Sequence, residues 1–485
     1  MAATNLQESS YKQQRVLLVG SPQQRDGTST KDQRFVNFFP ELVLTKTKPP
    51  LFGEPRTYYL RKRPGTSVNL PAVGFAGRGT IYFNNSVWRA CGANLFRDGV
   101  FVQTLSTSTG TVGFSLYEGT YSALIICDGI SGWVVKTDNT ITKITDVNFP
   151  TPHVPHPVSL DGYVFVAKAA TADIFNCNVT DPLTWSAAQF ITAEMYPQTV
   201  VNLTKNQNYL YAIGTQAIEY FSDAGIATGS PLALNAAAVQ QFGCPAPESV
   251  VQTDIQVLLI GENNNGGRTV YSISGFKADD IGNSAVSQSL DILGTNIVNC
   301  YGLVVRSMGH KWYILNLPTG RTWVYDFDSG MWHEWSYIAD GTAFSSNYSG
   351  DHPSGYPLLV HNVDGTSMLL NETTYTDYSP TGTIPIVCTA LTKKFDADTS
   401  RRKSCNRLLL VGDCPNGITN TPYNISWSDD DYNTFSTPVT LQMNPYMAAI
   451  SQLGIFRRRA FLITYNQPYP SRLEALELMV NIGNY

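Results

Sequence analysis

A hairpin pattern recurs along this chain every 40 to 55 residues or so, beginning near Ile81, Tyr121, Gly162, Asn208, Ile255, Gly309 and Tyr356. Each copy reads as an apolar strand, a turn of Gly, Asn or Asp, and a strand carrying an aromatic residue. Residues 309–335 show it most clearly. There Trp312 to Leu315, Trp323 to Tyr325 and the segment around Trp332 and Trp335 are separated by turns at Pro318 to Gly320 and Asp328 to Gly330. Short aromatic and β-branched runs between such turns mark antiparallel hairpins. The interval is that of a four-stranded propeller blade. A jelly roll or tandem sandwiches offer similar strands without so even a spacing. The pattern therefore predicts an all-β chain with a β-propeller of six or seven blades over residues 71–380.

The two ends lack that rhythm. Residues 1–70 contain TKTKPP at 45–50 and RKRPG at 61–65, which predict an extended arm with short strands that joins a platform. Over residues 381–485, IPIVCTAL, CNRLLLVG, YNISWSDD, FSTPVTLQM, RRRAFLITY and EALELMVNI read as the strands of a β-sandwich platform domain. SRLEALELMV has some helical character, but its strand-like neighbours favour a strand.

Charged residues make up 15% of the chain, against about 25% for an ordinary soluble domain. That deficit, with 26 tyrosines, suits wide subunit contacts, because interface cores favour aromatics over Lys and Glu. Charge is also uneven. Residues 1–70 carry 11 Lys and Arg against 5 Asp and Glu; residues 71–380 carry 12 against 25; residues 381–485 carry 10 against 8. An acidic middle between basic ends predicts that they face different partners. No secretory signal and no membrane-spanning segment are expected. The eight cysteines include no C-x-x-C pair, so they are expected reduced and mostly buried, with no metal site.

Few residues suggest chemistry. Asp429, Asp430 and Asp431 form a carboxylate run, but Ser428, Asp430, Thr434 and Phe435 loosely fit the structural S-x-D-x-G-x-T-W turn of sialidase-like hairpins, with Tyr432 in place of Gly. His153 and His156 lie among Pro152, Pro155 and Pro157, which forbid the helix that metal binding at that spacing needs, so a surface loop is expected. GENNNGGR at 261–268 lacks the Lys-Ser/Thr of a phosphate loop and reads as a hairpin turn. Arg401 to Lys403 and Arg457 to Arg459 are basic clusters that suit a solvated face, an acidic partner or DNA phosphates. No catalytic residue, metal or cofactor is expected.

Several stretches, in order, resemble one known family. DQRFVNFFPEL at 32–42 is similar to an N-terminal Arg-x-Val-Asn-x-x-x-Glu element through Arg34, Val36, Asn37 and Glu41. RKRPGTSV at 61–68 resembles its Pro-Gly turn. VSLDGYVFVA, DPLTWSAAQFITAE, YLYAIGTQAIEYFSDAG, FGCPAPESVVQTD and the 309–335 run follow in the expected sequence. SQLGIFRRRAFLITYNQPYPSRLEAL is similar to a Leu-Gly-x-x-Arg-x-Arg-x-Phe segment through Leu453, Gly454, Arg457, Arg459 and Phe461. Departures occur at VLLIGENNNGG, which lacks a Trp-Leu-Gly, and at YNISWSDDDYNTF, which lacks a Gly.

These stretches resemble the packaged-DNA stabilisation proteins of short-tailed bacteriophages, which form the tail hub or nozzle. The resemblance implies a non-enzymatic virion component, assembled in the bacterial cytoplasm. It implies a homohexameric ring below the portal and adaptor proteins, followed by distal tail proteins, with double-stranded DNA passing through the lumen; the acidic middle of the chain separately predicts that this DNA is only weakly bound, because a basic lining would hold phosphate. Arg34, Asn37, Glu41, Arg457, Arg458 and Arg459 are the candidate interface residues. The rival reading is a glycan-acting or glycan-binding propeller, sialidase-like or a lectin, which would need paired carboxylates or an arginine cluster in a pocket.

Overall fold

The computed structural model describes residues 12–19, 33–42, 58–226, 228–263, 265–338, 340–414, 421–443 and 449–483. TKTKPP at 45–50 lies outside them. Strands dominate, and one α-helix, Ser284–Asp291, occurs among the described residues, with the Asn283 side chain accepting the Val286 N–H at its start. No helix among them is long and apolar enough to cross a membrane. The chain divides into two compact units: residues 66–323 with 343–372, and residues 1–65 with 324–342 and 373–485. Residues 324–342 thus leave the propeller run, an excursion that the hairpin rhythm did not disclose. Of the tryptophans in the 309–335 run, Trp312 and Trp323 belong to the first unit, Trp332 and Trp335 to the second.

The first unit is a β-propeller with six four-stranded sheets. Five are meanders over residues 77–104, 113–143, 158–192, 200–234 and 251–280. The sixth combines Ser346–Gly350, Leu358–His361 and Ser367–Asn371 with Gly65–Leu70, a strand from the other end of the propeller sequence. Asn69 Nδ2 donates to Ser367 Oγ at 3.3 Å across that closure, between residues 298 positions apart. Before the sixth sheet, Tyr301–Ser307 and His310–Asn316 pair as a hairpin. The Tyr313 hydroxyl donates to the Ser249 carbonyl at 2.8 Å, and Ser349 Oγ donates to the Val304 carbonyl at 2.9 Å. These bonds tie the hairpin to the blades before and after it.

The repeated apolar runs are mostly the second strands of the blades. Ser122–Cys127 is buried at every position but its first, and Val257–Glu262 at every position but its last. The reason is geometric. Successive side chains of a strand point to opposite faces, and each blade is covered on both faces by its neighbours. Leu124 and Ile126 join Trp88, Leu95 and Trp133 in the core shared with the blade before. Ala123, Ile125 and Cys127 join Val164, Val166 and Trp185 in the core shared with the blade after. The propeller interior is therefore a ring of inter-blade cores.

The second unit is a β-sandwich. One sheet holds Phe38–Leu42, Tyr58–Lys62, Arg472–Ile482, Lys403–Asp413 and Ala449–Ser451, with Lys12–Leu17 on Arg472–Ile482 and Ile455–Phe456 on Lys403–Asp413. The other contains Met331–Trp335, Arg34–Val36, Cys388–Leu391, Ala460–Tyr465, Thr421–Ser428 and Val439–Met443, in that order. Phe38, Leu60, Leu408 and Leu478 of the first meet Phe35, Ala390, Ile425 and Ile463 of the second in one apolar cluster. SRLEALELMV falls in the strand Arg472–Ile482. Leu476, Leu478 and Val480 are buried, while Glu474 pairs with Arg15 outside. That period of two belongs to a strand.

A buried polar node holds this sandwich together. Arg63 is fully buried and uses all five of its N–H groups. Two fork onto Asp377 at 3.0 and 2.5 Å; the others reach Asn37 Oδ1 at 2.7 Å, the Pro64 carbonyl at 3.0 Å and the Ser336 carbonyl at 2.9 Å. The Trp335 ring lies under the guanidinium at 5.3 Å. Asn37 sits at φ 58, a left-handed conformation that Asn tolerates. Its amide donates to Ser336 Oγ at 2.9 Å and the Val387 carbonyl at 2.7 Å.

Two local expectations resolve differently. GENNNGGR is a hairpin turn, with Asn263 Oδ1 accepting from the Asn265 and Gly267 N–H groups. His153 is not on a surface loop: it is 3% exposed, its Nδ1 is 3.0 Å from the Pro150 carbonyl, and Gly129 N–H donates to its Nε2 at 3.3 Å. The prolines that forbid a helix turn the segment inward, where this ring bridges two backbone stretches. Burial pushes the His153 pKa down to about 4. All eight cysteines are free, seven of them buried, and burial pushes their thiols up, as at Cys127 and Cys244.

Two measurements follow. Arg63→Met strands the Asp377 carboxylate in the core, and chemical denaturation should show a loss of about 3–5 kcal/mol. The double variant Arg63→Met/Asp377→Leu should recover most of it, because no buried charge then lacks a partner. For His153, the unfolded chain binds a proton that the folded chain refuses between pH 6.5 and about 4. Its contribution is therefore present above pH 6.5 and lost as pH falls through that window. Over that range wild type should lose more stability than His153→Asn, by on the order of 2–3 kcal/mol, read from unfolding midpoints at each pH.

Candidate functional site

The six candidate interface residues do not form one surface. Arg34 forks onto Glu334 at 2.9 and 2.7 Å and onto Asp340 at 2.7 Å, and its side chain stays partly exposed. Glu41 pairs with Arg61 at 3.1 Å, both partly exposed. Asn37 is 1% exposed and belongs to the Arg63 node. At the other motif, Arg457 donates to the Ser400 carbonyl at 2.6 Å, and Arg458 is 57% exposed, 3.7 Å from Asp431. Arg459 is internal: it forks onto Asp429 with both bonds at 2.7 Å and donates to the Leu453 carbonyl. Arg457 and Arg458 lie in the exposed bend between Ile455–Phe456 and Ala460–Tyr465, while Arg459, where the chain re-enters the sheet, is buried.

The three adjacent aspartates are likewise divided. Asp429 holds Arg459, and Asp431 takes Lys394 at 2.6 Å. Asp430 accepts from Ser428 Oγ at 2.8 Å, the Thr434 N–H at 2.9 Å and the Thr434 hydroxyl at 2.5 Å, which bring its pKa down to about 2. This is a local turn brace, as the Ser-x-Asp pattern predicts.

One concave feature shared by several blades is the propeller axis. A cavity of about 560 Å³ lies there, lined by the inner strands and ending against Thr111, His156, Glu248 and Tyr348. Glu248 stands on the short 3-10 turn Pro247–Ser249. The turn is held from several sides: Asn202 Nδ2 donates to the Pro247 carbonyl at 2.9 Å and Tyr313 to the Ser249 carbonyl. Its carboxylate joins opposite blades. Oε2 accepts from Thr111 Oγ1 at 2.5 Å, and His156 Nε2 lies 3.3 Å from Oε1. The Thr111 hydroxyl proton is committed to Glu248, so the Tyr348 hydroxyl, 3.0 Å away, donates to Thr111. Burial pushes the Glu248 carboxyl up, but His156 and the Thr111 bond outweigh it and hold the group below its ordinary range.

The loop presenting Thr111 is itself anchored. Arg78, 4% exposed, donates to the Gly92, Thr107, Thr109 and Gly110 carbonyls and to Thr107 Oγ1. Gly113, at the start of the next inner strand, has no room for a Cβ, which would fall 1.9 Å from the Pro155 carbonyl oxygen. The inner ends of the blades thus converge on a polar clasp that closes the axis. From sequence, His156 reads only as a loop residue, and no motif marks Glu248. The one local hint was an acidic residue between prolines in CPAPESV, where a rigid turn presents a carboxylate.

Comparison with known proteins gives one informative match. The profile described as "Bacteriophage P22 Gp10, beta-propeller", of the phage stabilisation family, matches residues 24–355, more than half of the chain. No curated protein sequence matches. Among solved structures, the computationally designed Ika8 protein is 12% identical with a TM-score of 0.35, covering 70% of this chain and 99% of its own. Virginiamycin B lyase from Staphylococcus aureus is 11% identical with a TM-score of 0.40, covering 63% and 99%. YCF48 bound to D1 peptide is 13% identical with a TM-score of 0.38, covering 64% and 99%. Likeness at that level carries no argument about this chain. The profile match, over blades and sandwich strands already described, does: the chain belongs to the bacteriophage P22 Gp10 β-propeller family of phage stabilisation proteins.

Proposed function

We propose that this chain is a structural component of the tail of a short-tailed phage. Several copies form a closed ring, a homohexamer, below the portal and adaptor proteins; the ring extends the DNA exit channel and retains the packaged genome. Distal tail proteins follow it, and the ring is added in the bacterial cytoplasm. Family membership supports the virion role. The observation that carries the ring is the closed propeller axis. Glu248, Thr111, His156 and Tyr348 are hydrogen-bonded across it within 3.3 Å, which leaves no passage for a duplex. A conduit built from this chain therefore lies between copies, as the closed cyclic symmetry of head-to-tail contacts allows.

Charge fits the same role. The acidic run over residues 71–380 suits a lumen wall, because a basic wall would neutralise phosphates, release counterions and hold DNA fast. The proposal is non-enzymatic. The 429–431 run offers the glycan-hydrolase rival no spare carboxylate, since Asp429 holds Arg459, Asp430 braces its own turn through Ser428 and Thr434, and Asp431 takes Lys394.

Particles assembled without this chain test the reading. They should package DNA normally and then lose it, with the nuclease-sensitive fraction rising several-fold over wild-type particles. Restoring the chain in trans should restore retention. Capsids that keep their genome and fail only in host attachment would instead assign the chain to receptor binding.

A further inference from the structure

The outermost strand of a sheet presents unpaired N–H and C=O groups, and proteins guard such edges with charge, proline, bulges or shortness. Most outer strands of the propeller unit are guarded in this way. Lys277–Asp280 carries Lys277, Asp279 and Asp280; Ile141–Lys143 and Leu232–Leu234 have three residues each; Asp181–Thr192 contains Pro182 and two register shifts. The closing strand Gly65–Leu70 starts buried, with the Gly65 N–H donating to the Thr374 carbonyl, and Pro71 follows it. In the sandwich unit, Lys12–Leu17 carries Lys12 and Arg15, Phe38–Leu42 carries Pro40 and Glu41, and Ala449–Ser451 has three residues.

Two outer strands lack every such guard. Val100–Thr104, VFVQT, lies outermost in the blade over residues 77–104, and Val439–Met443, VTLQM, ends a sandwich sheet. Each has five residues, no charge and no proline. Among the described residues each pairs on one side only, Val100–Thr104 with Asn94–Arg97 and Val439–Met443 with Thr421–Ser428. Exposure follows the same division. Val100 is 66% and Phe101 52% exposed, and the Phe101 ring meets Phe96 edge-on at 6.3 Å. On the sandwich edge Thr440 and Gln442 face water, while Leu441 and Met443 enter the core.

A head-to-tail ring needs two different surfaces on every copy that fit each other. This chain carries one unguarded edge on its propeller unit and one on its sandwich unit, equal in length and both uncharged. We infer that Val100–Thr104 of one copy pairs with Val439–Met443 of the next, so that a sheet continues from copy to copy. Strands of this length exchange roughly five main-chain hydrogen bonds. Covering Val100 and Phe101 adds apolar burial, and no charge on either edge has to leave water. Pairing of either edge with the same edge of another copy would give a two-fold contact, which does not propagate around a ring. The pairing rests on the ring reading and names the contact that closes it.

Supplying full-length variants in trans to particles that lack this chain tests it, with copies of the chain counted per purified particle. Wild-type chain should enter as a complete ring. Phe101→Lys and Gln442→Lys, each charging an exposed edge position, should lower the copies per particle about tenfold or more, while circular dichroism and melting midpoint stay as in wild type. An opposite charge on the facing strand should rescue. Phe101→Lys/Gln442→Glu or Phe101→Lys/Thr440→Glu should regain most of the wild-type copies, and Phe101→Lys/Gln442→Lys should not. The pairing is overturned if either single variant enters as wild type does. It is also overturned if both are lost and neither Lys–Glu variant recovers, which would assign the edges to another tail protein. In both cases the wild-type ring stands. Wild-type chain present without a ring would overturn the ring reading, and this contact with it.

Discussion

The sandwich unit depends on one buried ion pair. Arg63 and Asp377 are 314 positions apart and almost wholly out of water. A charge placed there without a partner is costly, whereas the pair survives because each donor finds an acceptor. The node satisfies that condition in full, and in doing so it fixes register. The Asn37 left-handed turn, the Pro64 carbonyl, Ser336, Asp377 and Val387 come from separate stretches of chain, and one planar guanidinium with one amide orders them. Apolar packing alone would tolerate slippage of those strands, since Leu, Ile and Phe exchange neighbours at small cost. Hydrogen-bond geometry does not. The Arg-x-Val-Asn element is therefore internal architecture at Asn37, while its ends, Arg34 and Glu41, keep partial access to water through paired side chains.

The propeller works by a different principle. Its stability is spread over repeated interfaces between neighbouring blades, each built from opposite faces of the same second strands. The closure of the sixth sheet by Gly65–Leu70 makes the ring of blades continuous. At the centre, polar groups replace apolar ones, and the Glu248 carboxylate joins the Thr111 and His156 side chains of different blades. With the axis crossed by the Glu248 clasp, a wide passage would have to lie between copies, as the proposed ring requires.

Much of this was legible in the sequence because burial on both faces leaves a simple trace. A second strand packed between two neighbours reads as an unbroken apolar run, as in Ala123 to Cys127 or Val257 to Ile260. Inner strands such as Val251–Gln252 and Gly113–Glu118 are short, Gly-bearing or mixed, so they left no rhythm. Long-range polar partners were not legible at all. RKRPG reads as a solvated basic turn, and nothing near Arg63 announces Asp377. The same holds for Arg459, whose partner Asp429 looks from sequence like part of a carboxylate cluster. His153 illustrates the reverse error: prolines exclude a helix, but they do not decide between surface and core. Glu248 escaped notice because its meaning lies in Thr111, His156 and Tyr348, contributed by other blades.

Electron microscopy of intact particles tests the central claim, that this chain builds a conduit between copies and not through its own axis. The account predicts a closed ring of this chain on the tail axis, with duplex density in the lumen between propellers and each propeller's own axis solid at Glu248. Duplex density threaded through a propeller axis would contradict it, as would a chain found off the tail axis with no ring at all.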